Sequence, residues 1–168
     1  MTLPVMLESW ANISPCEKYR YNLGRIWDRD KPLLGIIGLN CSTADAKKND
    51  PTVTREILFA IRDGFGGLIK GNLFAFRATN PVEMLAQGFD AIGPENDEAL
   101  KTIAALTRKL VVAWGAHGGF LDQDLEVCEL LAGTEFFCFG TTKDGHPKHP
   151  LYLKKTTKLV PWAPRQEN

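Results

Sequence analysis

The chain has 168 residues, twenty Lys and Arg against twenty Asp and Glu, and 44% apolar residues. That suits one globular domain with a single core, and the neutral balance excludes a protein that coats nucleic acid through bulk charge alone. No apolar run reaches the roughly 18–20 residues of a membrane span, no basic region leads into an apolar stretch at the start, and the four cysteines show no CxxC spacing. A reduced, cytoplasmic protein is expected, with no membrane contact and no obligate protein partner.

Residues 1–18, with Pro4 and Pro15, carry no clear pattern. From Tyr19 to Trp27, Tyr19, Tyr21 and Leu23 alternate with Arg20, Asn22 and Gly24, which predicts a short edge strand. Leu33 to Leu39 is wholly apolar or glycine and too short for an ordinary helix, so it reads as a central strand covered on both faces. The run stops at Asn40 and passes into Ser42, Thr43 and Asp45. Asp50 suits an N-cap and Pro51 a first helical position, with Ile57, Leu58 and Ile61 as the apolar face of that helix. Leu68 to Ala75 predicts a second strand, Pro81 to Ala86 a short helix, and Pro94 starts a longer helix through Leu100 and Ile103. Lys109 to Trp114 is a third strand, Leu121 to Leu131 a further helix, and Glu135 to Phe139 a fourth strand. A polar loop over 141–150 and an extended tail follow, with residues 156–168 otherwise unassigned.

Strands alternating with helices over short loops predict an α/β protein of three layers, α/β/α, around a central, mostly parallel four-stranded sheet. Residues 1–168 form one domain, without internal repeats or linkers. In such sheets ligands bind beyond the carboxyl ends of the strands. Asn40 and Asn72 stand at two of those ends, and His149 lies in the loop after the fourth strand. An asparagine amide offers donors and an acceptor, enough to read a nucleobase edge or position a water, although strand-end asparagines also cap turns. Between residues 143 and 158 five lysines face one aspartate, a candidate phosphate rim or simply a solvated surface. Phe74, Phe76, Trp114 and Tyr152 offer faces for base stacking or core packing. Cys41 with His117 or His149 is a weaker thiol–imidazole reading. The glycines form neither G-x-G-x-x-G nor a P-loop, and no metal-ligand spacing is present, so neither cofactor nor metal is expected.

Several blocks in order resemble a domain-of-unknown-function family of bacteria and their phages with LNPSTAD and HPLYL signatures. They are Tyr19-Arg20-Tyr21, Leu39-Asn40-Cys41-Ser42-Thr43-Ala44-Asp45, Asp50-Pro51-Thr52, Asn72-Leu73-Phe74-Ala75, Ala113-Trp114-Gly115 and Thr142 to Leu153. The order of elements is also distantly similar to the uracil-DNA glycosylase superfamily. That resemblance implies the same fold type and a nucleobase N-glycosidase acting on a modified or deaminated base, in DNA or in a nucleotide. It makes Gly38-Leu39-Asn40 the motif whose last residue holds the attacking water, Asn72 the reader of the base edge, and His149 the support of the departing anion. Cys41 departs from the proline common in that motif, and Asn40 stands where the most active members carry aspartate. Together these arguments nominate Asn40 and His149 for catalysis. They nominate Gly38, Leu39, Cys41, Ser42, Asn72, Phe74, Trp114, Lys148 and Lys154 for substrate contact. The alternative is a module that binds a nucleotide or modified base without cleaving it.

Overall fold

The computed structural model describes residues 2–166. Seven strands, β1 (Glu8–Ile13), β2 (Arg20–Ile26), β3 (Leu33–Cys41), β4 (Gly67–Arg77), β5 (Lys109–Val112), β6 (Phe136–Cys138) and β7 (Val160–Trp162), join in one sheet of order β1-β2-β4-β3-β5-β6-β7. Four α-helices, α1 (Pro51–Arg62), α2 (Pro81–Ala86), α3 (Asn96–Leu106) and α4 (Gln123–Leu130), connect them with two short 3-10 segments. β3 pairs parallel with β4 and β5, and β5 with β6. The β1–β2, β2–β4 and β6–β7 pairings are antiparallel.

This corrects the expected architecture. The sheet is mixed and seven-stranded, in place of the mostly parallel four-stranded sheet of uracil-DNA glycosylase type. β2 is internal, because β1, in the stretch that carries no clear sequence pattern, covers its outer edge. Both misjudged edges have a local cause. β7 is only three residues long, and β1 pairs with a register shift at Asn12/Ile13 that interrupts simple alternation.

The central run of β3 is buried from both sides. Ile37 and Leu39 pack with Leu100 and Ile103 of α3 and Val127 of α4. Leu34 and Ile36 pack with Val53 and Ile57 of α1. Helices therefore cover both faces, with α1 alone on the second. Asp50 caps α1 through Oδ1, which accepts from Val53 N at 2.8 Å, and Pro51 opens the helix. Buried Arg25 on β2 braces the loop before that cap, donating to the carbonyl oxygens of Asp45 and Lys48 and to Asn49 Oδ1. A strand on the far edge of β4 thus sets where α1 begins.

Candidate functional site

The ends of β3 and β5, the start of α1 and the loop after β6 surround a cleft of about 490 Å³. Its lining includes Gly38, Leu39, Asn40 and Ser42 from the end of β3, Asp50 to Thr52 from α1, and Trp114 to His117 beyond β5. His149 and Leu151 close it from the late loop, and Arg20 and Lys70 form part of its floor. The late loop is held in place by backbone bonds: Gly115 N donates to Pro147 O at 2.8 Å and Lys148 N to Gly140 O at 2.9 Å.

Asn40 sits where the β3–β4 register breaks; its neighbour in β4 is Phe74, while the next residue, Cys41, faces Arg77. Irregularities of this kind re-aim side chains at the ends of strands. The Asn40 amide donates through Nδ2 to Ala78 O at 2.8 Å and to Cys41 O at 3.2 Å. Two carbonyl acceptors leave no choice about which end of the amide faces them, so Oδ1 is the free acceptor of this cleft residue.

His149 is fixed in a comparable way. Its Nδ1 accepts from Leu151 N at 3.3 Å, which places the proton of the neutral ring on Nε2 and makes that nitrogen a donor. Desolvation first, and then the nearby Lys70 charge, lower the His149 pKa from the usual imidazole value, with Asp50 opposing. Protonation would put a second N–H opposite that of Leu151. An NMR titration of the ring is therefore expected to give a midpoint below the ordinary value of about 6.5 and an Nε2–H tautomer on the neutral side. A midpoint above that value would contradict the assignment.

Asn72 lies beside Gly38 in the parallel register but does not line the cleft; it is 1% exposed. Cys41 explains its orientation. The Cys41 thiol donates toward Arg20 O at 3.1 Å, so its sulfur is left to accept from Asn72 Nδ2 at 3.2 Å. Asn72 Oδ1 then has no partner among the described residues. A Cβ on Gly38 would stand 2.8 Å from that oxygen, so glycine is what keeps the space between them open. Burial raises the Cys41 pKa and keeps the thiol protonated, and Cys41 does not line the cleft. That removes the geometry the thiol–imidazole reading needs.

The remaining nominated residues divide. Trp114 lines the cleft although buried, with its ring edge-on to Trp162 at 5.5 Å. Phe74 is fully buried in the core, 5.7 Å from Phe120, and Lys148 and Lys154 are exposed outside the lining. What sequence reasoning missed are the charges on the floor. Lys70 donates to both carboxylate oxygens of Glu56 from α1, at 2.9 and 3.0 Å, with Arg20 beside the same cleft. A lysine and a glutamate fourteen residues apart, on a strand and a helix, give no local signal. Asp50, the cap of α1, also borders the cleft.

Among the described residues no three His, Cys, Asp or Glu side chains gather as a metal site, and no helix is long and apolar enough to cross a membrane. A protein-family model described as "Protein of unknown function (DUF1643)" matches residues 20–151. No curated protein and no solved structure matches.

Proposed function

The chain belongs to the DUF1643 family, and from the cleft at its strand ends we propose that it is a nucleobase-recognising N-glycosidase. The observation that carries this reading is the pair of hydrogen-bonding polarities set by backbone groups in one cleft, a free acceptor at Asn40 Oδ1 and a donor at His149 Nε2. Hydrolysis of a glycosidic bond needs both. Asn40 Oδ1 accepts an O–H of the attacking water, and Asp50 takes the proton that water loses as its oxygen bonds to the sugar carbon. The C–N bond breaks with its electron pair leaving on the base, and His149 Nε2–H donates to the anion that forms. The likeness of Gly38-Leu39-Asn40 and His149 to the motifs of the uracil-DNA glycosylase superfamily supports these two roles, whereas Asn72, buried outside the cleft, takes no part in them. A reducing, cytoplasmic setting fits the four free cysteines.

The test is release of free base, read by liquid chromatography and mass spectrometry. The panel comprises nucleosides, nucleotides and oligonucleotides that carry deaminated or alkylated bases. At least one member is expected to lose its base. A folded protein that releases none of them, yet melts higher with a ligand recovered intact, would make the cleft a binding site for an unmodified or modified base and end the hydrolase reading.

A further inference from the structure

Outside the cleft, basic side chains gather on the surface where α1 meets residues 148–158. Residues 81–135, which contain α2, α3 and α4, hold ten acidic side chains against three basic ones, so the neutral total conceals a segregation of charge. Part of the basic complement lies at α1. Arg55 and Arg62 place their guanidinium groups 5.3 and 4.9 Å from the centre of the Phe59 ring. With Lys155 they rim a groove of about 140 Å³ over Leu58 and Phe59. Arg62 also borders a second depression with Lys109 and Lys158. Arg62 engages its guanidinium with both carboxylate oxygens of Asp63 and with the carbonyl oxygens of Lys155 and Thr157, so it ties the late segment to the helix and builds the ridge without being a free cation on it.

This ridge leads into the cleft. Thr52 and Leu151 line the cleft, Arg55 is one helical turn beyond Thr52, and Arg62 lies about 15 Å along α1 from it. Next to Leu151 stands Tyr152, 92% exposed, with lysines nearby in sequence on both sides. An aromatic face in solvent beside a row of cations is the chemistry that holds unpaired bases and their phosphates together. We propose that this surface tracks single-stranded nucleic acid, with Tyr152 as a stacking platform and Arg55, Lys155 and Lys158 along the phosphates. The proposal rests on the cleft reading only in that it makes the substrate a polymer rather than a free nucleotide. An acidic peptide would match the charge but presents no base to Tyr152.

Fluorescence anisotropy with short labelled oligothymidylate and oligouridylate, neither carrying a modified base, tests it. At least one strand is expected to bind at low salt, with log K falling by roughly 0.7 per phosphate neutralised as log salt rises. Tyr152→Ala is expected to weaken that binding about tenfold with the salt slope unchanged. Lys155→Ala with Lys158→Ala should flatten the slope by about one unit or more. Absence of binding, a Tyr152→Ala protein that binds like the parent, or polyglutamate competing as well as an oligonucleotide would overturn the proposal. Base release from a mononucleotide without oligonucleotide binding overturns this surface and leaves the cleft reading standing. Oligonucleotide binding without any base release supports the surface and removes the hydrolase.

Discussion

Lys70→Met is expected to destabilise the protein by about 3–5 kcal/mol at mildly alkaline pH, the cost of leaving one member of a buried ion pair without its partner. The Lys70 side chain is 6% exposed and that of Glu56 is fully buried. Both carboxylate oxygens face the ammonium, so methionine would leave a carboxylate in an apolar layer between α1 and the sheet. Burial is the chief influence on Glu56 and raises its pKa, with the Lys70 charge and hydrogen bond opposing. A carboxyl raised on folding contributes stability that is full below its unfolded value and is lost as pH rises through the folded one. Removing Lys70 enlarges that raise, so the variant's penalty should shrink as pH falls from mildly alkaline to mildly acidic values and Glu56 takes up a proton. Urea denaturation at the two pH values measures it. A loss under about 1 kcal/mol, or a loss that grows on acidification, would show that the pair is not desolvated as described. Adding Glu56→Leu to Lys70→Met should recover most of the stability, since an apolar pair of similar volume removes the buried charge altogether.

The second large effect is catalytic. Asn40→Ala is expected to lower base release by about 10²–10³-fold, the usual cost of deleting one preorganised polar contact in an active site. The fold should survive, because among the described residues the amide bonds to just two carbonyl oxygens at the edge of the cleft. Each such bond is worth about 1 kcal/mol net. Single-turnover rates on whichever substrate the panel identifies, compared with the melting temperatures of both proteins, separate the two effects. A variant that cleaves within a few-fold of the parent would take the attacking water away from Asn40. Asn40→Asp is informative in the opposite sense. Its carboxylate supplies a base but faces Ala78 O and Cys41 O, two acceptors that repel it. Gain from the charge is therefore offset by loss of the orientation that makes Oδ1 useful.

Parts of this molecule are legible from local order. The unbroken run of apolar residues and glycines over 33–39 in β3 announces a strand buried on both faces, and Asp50-Pro51 marks the start of α1, because backbone geometry and capping act over a few positions. Asn40 stands out because it ends a strand whose type is readable, and His149 because it lies in the loop that follows another; strand ends are where such sheets bind ligands. The edges were not legible. β1 and β7 are short, irregular and half exposed, and an edge strand is defined by its neighbour rather than by its own letters.

The sequence alone settled the central strand, the cap of α1 and the choice of residue types at the strand ends, since each depends on interactions between near neighbours. Only the tertiary structure decided that the sheet is mixed and that Lys70 lies against Glu56. It also decided that Cys41 turns the Asn72 amide and that Asn72 lies beneath Gly38 rather than in the cleft. Those outcomes come from pairings between distant segments, whose energies depend on burial and register, and neither quantity exists until the chain has closed on itself.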